Sequence, residues 1–254
     1  ATQPRASLLG QPHRHITLAL AAGAYRRPPN QPHEVAHDLN PERATHVTAG
    51  ALFDDKRGLR INTVAYYIDR RRLVIRDPQG ELRNTGLGSS LGLDLKAELR
   101  DGPWYGAVST ALTRSKRFDF LRAAERPSEY EQPFRFDLLG AWRRGKLQLG
   151  ARLQLASGLP FTPYEGAVYN SDTDTYEPLY VPPGSARAPF HHQIDLRVDY
   201  RFRLGRFDFD AFLDLHNAYR NRDPIAYRFS YDYTERTAIR ALPLFPFAGL
   251  RGYL

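Results

Sequence analysis

The sequence predicts an all-β chain folded as an antiparallel, up-and-down transmembrane β-barrel with about 10 long strands. Three observations carry that prediction. Apolar and polar residues alternate with the two-residue period of a strand. The alternating segments run to about 10–14 residues, against about 5–6 for an ordinary globular strand and about 9–11 for a tilted strand crossing a bilayer. The links between them are short and long in strict turn, which in a meander puts every tight turn on one rim and every long loop on the other.

The segments follow in order. The first, 15–25, contains the longest nearly apolar run, Ile16 to Tyr25. After the long link 26–43 come 44–53 and 59–69, joined by the slightly extended turn Asp54 to Gly58. The long link 70–85 leads into 86–99, where Leu91, Leu93, Leu95, Ala97 and Leu99 alternate with Asp94, Lys96 and Glu98. Asp101-Gly102-Pro103 turns the chain into 104–115, and the long link 116–132 follows. Segments 133–143 and 146–156 are joined by Arg144-Gly145, and the second sets Leu147, Leu149, Ala151, Leu153 and Leu155 against Gln148, Arg152 and Gln154. Beyond the long link 157–190, segment 191–203 is the cleanest: Ile194, Leu196, Val198, Tyr200 and Phe202 alternate with Asp195, Arg197, Asp199, Arg201 and Arg203. Leu204-Gly205 leads into 206–217, with Phe207, Phe209, Ala211, Leu213 and Leu215 against Asp208, Asp210, Asp214 and His216. The long link 218–242 precedes the last segment, 243–253. Trp104, Tyr105, Phe134, Trp142, Tyr200, Phe202 and Tyr253 fall near strand ends, as interfacial aromatic girdles require.

Because successive strand side chains point to opposite faces, each strand has one apolar and one charged face. In a barrel the charged set Asp195, Arg197, Asp199, Arg201, Asp208, Asp210 and Asp214 faces a wet or plugged lumen, where opposite charges pair across strands. A soluble β-sandwich binding module also alternates in this way, but does not sort its loops by length onto one rim.

Composition excludes several classes. The apolar run 16–25 is about half what a spanning helix needs. The 254 residues include no Cys, so disulfides, thiolate metal sites and cysteine nucleophiles are absent. The net charge of +8 comes from 36 Lys plus Arg against 28 Asp plus Glu. It is spread along the chain, with Arg70-Arg71-Arg72 the longest basic run, so nucleic acid is not an expected partner. The chain has no Met, and residues 1–14 hold no signal-peptide core. An export signal is therefore expected upstream.

Six segments resemble a known family. Leu39-Asn40-Pro41-Glu42-Arg43-Ala44-Thr45-His46 is similar to a loop-to-strand pattern L-x-P-E-x-x-x-H. Asn84-Thr85-Gly86-Leu87-Gly88 with Gly92-Leu93-Asp94 is similar to N-x-G…G-x-E, with Asp in place of Glu. Ser157-Gly158-Leu159-Pro160-Phe161-Thr162-Pro163 leaves a strand, and Arg187-Ala188-Pro189-Phe190-His191-His192 leads into the next. Asp214-Leu215-His216-Asn217-Ala218-Tyr219 and the tail Pro246 to Leu254 complete the set, with Leu254 where the family usually ends in Phe. Together they resemble the C-terminal part of the barrel of TonB-dependent outer-membrane receptors. The resemblance implies residence in the bacterial outer membrane, contact with its lipid and lipopolysaccharide, and import of a scarce nutrient such as a ferric siderophore or cobalamin. It also implies TonB as a partner, reached through an upstream plug domain. The whole chain, 1–254, is then one barrel segment, under half of a barrel of about 22 strands. A self-contained small barrel acting as a porin, adhesin or hydrolase is the alternative.

Candidate sites are few. Arg70, Arg71, Arg72, Arg76 and Arg83 gather on one long link and could contact lipopolysaccharide, an anionic ligand or a metal chelate. Asn170, Asp172 and Asp174 have the spacing that opens a calcium loop, but the Gly that should follow is missing and Val181 stands where the bidentate Glu belongs. Adjacent His191 and His192 point to opposite faces and do not form a metal pair. No G-x-S-x-G elbow is present, no cofactor is implied, and the chain is not expected to be an enzyme.

Overall fold

The computed structural model describes residues 2–28, 39–76, 81–118 and 125–253. The strands are β1 Arg5–His13, β2 Ile16–Arg27, β3 Glu42–Asp54, β4 Leu59–Arg76, β5 Leu82–Asp101, β6 Trp104–Phe118, β7 Glu125–Pro127, β8 Phe134–Arg144 and β9 Leu147–Ala156. They continue with β10 Pro160–Phe161, β11 Tyr164–Asn170, β12 Thr175–Tyr180, β13 Ala186–Arg187, β14 His191–Leu204, β15 Phe207–His216, β16 Pro224–Phe229, β17 Arg236–Arg240 and β18 Phe245–Tyr253. All the long strands lie in one antiparallel sheet, in the order β1-β2-β3-β4-β5-β6-β8-β9-β14-β15-β18, with short β7 beside β6. Each strand pairs with its neighbour in the meander, as the sorted links require.

The sheet is apolar on its exposed side. Leu18, Leu20, Val47, Leu91, Leu93, Leu95, Leu112, Leu149, Val198 and Leu213 are all exposed, Leu91 at 60%. Among the described residues only Ile75 and Ala156 are buried hydrophobics. The charged residues of the same strands are more covered: along β14, Asp195, Arg197 and Asp199 are half-buried while Ile194, Leu196 and Val198 are exposed. A single sheet whose polar side is the covered one is curved around that side. A sandwich would bury its leucines against a second sheet. No second long-stranded sheet exists among the described residues.

The short rim is closed by tight turns. Gly102, Gly145 and Gly205 adopt φ of 52°, 59° and 60°. These are left-handed conformations that glycine adopts without steric cost. Trp104 and Trp142, opposite each other on β6 and β8, place their ring centroids 6.2 Å apart beside this rim.

Three features depart from expectation. An eleventh long strand, β1, precedes the first expected one, and Arg5–His13 pairs with β2 through the turn at 14–15. Its sequence sets Leu8 beside Leu9 and includes Gly10 and Pro12, so it shows no alternation. The link 70–85 is shorter than expected. β4 continues to Arg76 and β5 begins at Leu82, so the hairpin stands beyond the apolar band. The long links also carry their own hairpins, β11–β12 and β16–β17. Rings hold these two together: Tyr164 packs edge-on against Phe229 at 4.7 Å, Tyr176 against Tyr231 at 5.5 Å, and the Tyr231 hydroxyl donates to the Asp174 carbonyl at 2.6 Å. Leu254 lies outside the described residues.

Candidate functional site

The inner wall of β14 and β15 is a ladder of ion pairs, and register explains it. Arg197 stands opposite Asp214, Arg201 opposite Asp210 and Arg203 opposite Asp208. Opposed residues share a face, and each pair closes: Arg197 Nη1 to Asp214 at 2.6 Å, Arg201 Nε to Asp210 at 2.7 Å, Arg203 Nε to Asp208 at 2.8 Å. Arg197 also donates to Asp199, its neighbour on the same face, and lies 4.6 Å from the centre of the Phe212 ring. Asp195 accepts from the Gln193 amide at 2.7 Å and from the Asn217 backbone N–H at 2.9 Å, fixing the point where β15 leaves the sheet. The ladder continues onto β8 and β9, where Asp137 accepts from Arg152 and Gln154. All seven expected lumen residues are thus brought to one face, six of them paired across or along the strands and Asp195 held by amide donors.

Towards the long-loop rim the same wall opens into a cavity of about 540 Å³, lined by His46, Thr48, Tyr66, Arg70, Ser90, Thr113, Ser115, Ser128, Tyr130 and Glu131 among others. Its floor is a connected polar network. Arg70 donates to Ser90 at 2.8 Å, Ser90 shares a hydrogen bond with Ser115 at 2.7 Å, and Ser115 with Ser128 at 2.8 Å. The Tyr66 hydroxyl meets Thr113 at 3.0 Å. Glu131, only 6% exposed, accepts the Ser115 backbone N–H at 3.0 Å and is paired with Arg187. Among the described residues every buried side-chain polar atom has a partner. Volume and lining are those of a small-molecule pocket with a few fixed polar groups. Glycine makes room for it: a Cβ on Gly92 would sit 2.3 Å from the Tyr66 ring.

The arginines expected on one external link divide between two faces, because they lie on extended strand. Arg70 points into the cavity, and Arg71 points outwards to Asp69 at 2.7 Å. Arg72, at φ 60°, marks an irregularity in the β4–β5 register. Arg83 lies in β5 near Ile75. Arg76 ends β4, and its side chain lies outside the described residues. Of the four whose side chains are described, Arg70 alone lines the cavity. Asn170, Asp172 and Asp174 shape the β11–β12 turn: Asn170 accepts the Asp172 N–H and donates to Glu177, while Asp174 accepts the Tyr169 hydroxyl at 2.7 Å. That bond pushes the Tyr169 hydroxyl pKa up. No cluster of His, Asp or Glu suited to a metal occurs among the described residues. His191 bonds Asp223 at 3.0 Å and His192 bonds Tyr219 at 2.6 Å, on separate partners.

Residues 3–218 match the model of the family described as TonB dependent receptor-like, beta-barrel. The chain belongs to that family. No curated protein matches the chain. Among solved structures, the ferric citrate transporter FecA superposes with a TM-score of 0.75 at 14% identity, over 100% of this chain and 38% of that one. The FrpB iron transporter of Neisseria meningitidis gives 0.71 at 14%, over 99% and 39%. The ferric-catecholate import receptor Fiu of Escherichia coli K12 gives 0.68 at 12%, over 98% and 34%. At such identities the likeness shows the fold. The chain spans between a third and two fifths of these proteins. TonB-dependent receptor barrels are outer-membrane proteins, and barrels of that kind turn apolar residues to lipid and polar residues to the lumen. The family and these neighbours are receptors and transporters.

Proposed function

We propose that this chain is the C-terminal half of the barrel of a receptor that imports a scarce nutrient held in an anionic metal chelate, such as a ferric siderophore, with cobalamin as the other candidate. The observation that carries the reading is the cavity at the long-loop end of the inner wall, with Arg70 hydrogen-bonded to Ser90 in its floor and Tyr66, His46 and Tyr130 around it. An arginine fork suits a chelate's carboxylates or catecholates, and the tyrosines supply hydroxyl donors and ring faces. Three structural neighbours described as ferric citrate, iron and ferric-catecholate transporters support the ligand class.

The sheet edges support the half-barrel reading. β1 pairs with β2 alone, β18 pairs with β15 alone, and the two do not pair with each other. An unpaired strand edge in a bilayer leaves backbone groups without partners, so further strands complete the wall. The ladder of Arg197, Arg201, Asp210 and Asp214 then faces a plug domain, through which the receptor draws on TonB. A small barrel closed by this chain alone, acting as a porin, adhesin or hydrolase, would need β1 joined to β18.

Uptake of ferric citrate, a ferric catecholate and cobalamin, each radiolabelled, by cells producing the full receptor chain tests the function. Accumulation of one, abolished without TonB and cut at least tenfold by Arg70→Ala, is expected. Accumulation that persists without TonB, or no accumulation of any of the three, would count against it.

A further inference from the structure

The inner wall of β14 and β15 matches its arginines to acids. The tips of the short turns do not. The turns between β1 and β2, β3 and β4, β5 and β6, β8 and β9, and β14 and β15 follow one another along the sheet. Four of the five carry a cation in the turn itself, beyond the last paired strand residues: Arg14, Arg57, Lys146 and Arg206. All four are exposed, and none has a carboxylate partner among the described residues. Arg206 is backed by the Phe207 ring, 5.3 Å from its centre. The carboxylates nearby are already engaged. Asp54 pairs with Lys56 at 3.2 Å and with Arg60 at 3.1 Å, Glu98 with Lys96 at 2.6 Å, and Asp208 with Arg203 at 2.8 Å. Asp55 accepts the backbone N–H groups of Arg57, Gly58 and Leu59. Asp101, beside Arg100 at the remaining turn, is the exception among the described residues.

The spacing of these cations is as telling as their lack of partners. Neighbouring hairpins stand two strands apart, about 10 Å across the strands and ~12–13 Å along the rim at a tilt of about 40°. From Arg14 to Arg206 the row therefore runs on the order of 50 Å. Short turns of outer-membrane barrels face the periplasm. Trp104 and Trp142 mark the membrane interface on this side, and the turn tips lie beyond them. A small anion can neutralise one tip and no more. A partner that meets all four is extended, lies parallel to the membrane and carries negative charge at about the hairpin spacing. The peptidoglycan polymer beneath the outer membrane has that chemistry, because its peptide stems carry carboxylates. Phospholipid phosphates ring the outer face of the wall instead, whereas these four cations stand in the turns, past both faces of the sheet.

We propose that Arg14, Arg57, Lys146 and Arg206 form a docking row for the carboxylates of peptidoglycan, tethering the periplasmic rim of this wall to the cell wall. One exposed ion pair is worth little. Several on one polymer add through effective concentration, so the row binds as a unit and weakens with salt. The inference rests on the outer-membrane setting of the family and the periplasmic side of its short turns. The row is at the opposite end of the wall from the import cavity, so it stands or falls independently of the transported ligand.

The test sediments the full receptor chain, purified in detergent, with isolated peptidoglycan sacculi at low salt. Wild type should sediment with the sacculi, and the Arg14→Gln/Arg57→Gln/Lys146→Gln/Arg206→Gln variant should bind at least tenfold less. Sacculi whose carboxylates have been amidated should hold wild type no better than untreated sacculi hold that variant. Arg220→Gln/Arg222→Gln/Arg236→Gln/Arg240→Gln removes the same charge from the long-loop side and should match wild type. Heat-modifiable gel mobility confirms that each variant is folded. Equal sedimentation of the folded turn variant, equal binding to amidated sacculi, or no sedimentation of wild type would overturn the proposal. Native mass spectrometry supplies the remaining arm: a turn variant that loses retained phosphatidylglycerol while still binding sacculi would make the row a headgroup site and overturn it too.

Discussion

Placing an arginine at Val198 should measure how deeply this face of β14 sits in an apolar surround. Val198 lies on β14 between Leu149 of β9 and Leu213 of β15, and is 39% exposed with apolar neighbours on both sides. His192 and Leu204 mark the ends of this face and each is about six residues away, ~20 Å along the strand or ~15 Å along the membrane normal at a 40–45° tilt. That is the middle of an apolar band about 25 Å tall. An arginine at such depth costs about 2–4 kcal/mol, and near the interface about 0–1 kcal/mol. Val198→Arg should therefore lower the folded-to-unfolded ratio roughly 30- to 1000-fold, at ~1.4 kcal/mol per factor of ten. Leu204→Arg, at the short rim, should change it by less than about fivefold. The assay is urea titration of the full receptor chain in phospholipid vesicles, followed by intrinsic fluorescence. Equal costs at the two positions, or a Val198→Arg variant as stable as wild type, would refute the depth argument.

Three further outcomes follow from individual contacts. Glu131→Gln keeps the shape that bonds Ser115 but leaves the partly exposed Arg187 without its counter-charge, so the same titration should show a loss of about 2 kcal/mol. Gly58→Ala should cost more than about 1 kcal/mol, because Gly58 has φ 142° and a Cβ there would lie 2.1 Å from the Arg100 carbonyl oxygen. Asp55 caps the same turn, and the Arg57 backbone N–H first, then those of Leu59 and Gly58, hold its carboxyl below its ordinary pKa of 3.8. A depressed pKa in the folded state adds stability above the unfolded value, and this is lost as pH falls through the folded one. Asp55→Asn should thus lower the urea midpoint at pH 7, with the difference from wild type shrinking below about pH 4.

Alternation revealed most of the barrel because lipid and lumen impose opposite chemistry on successive residues. It failed where that contrast is absent. β1 carries leucines on both faces, so nothing in Arg5–His13 marks an inside. The outer ends of β4 and β5 carry no apolar–polar alternation, so Arg70 to Arg76 reads as a charged loop although it is extended and paired. The ion-pair ladder was legible as a face, since Asp195 to Arg203 and Asp208 to Asp214 alternate cleanly. The cavity was not. Ser128, Tyr130 and Glu131 come from a link without periodicity, and Arg187, which pairs with Glu131, belongs to a segment resembling a family motif whose pattern names no partner.

The central claim is that one curved sheet turns its leucines to lipid and its paired charges to the lumen. These 254 residues contain no cysteine, so single-cysteine variants of the full receptor chain at each position from Ile194 to Tyr200, with any cysteine elsewhere in that chain replaced by serine, take a nitroxide label at one site. In membranes, the labels at 194, 196, 198 and 200 should collide with dissolved oxygen and be shielded from an aqueous nickel chelate, while those at 195, 197 and 199 should not share that oxygen accessibility. An accessibility profile without this two-residue period, or with its phase reversed, would contradict the account.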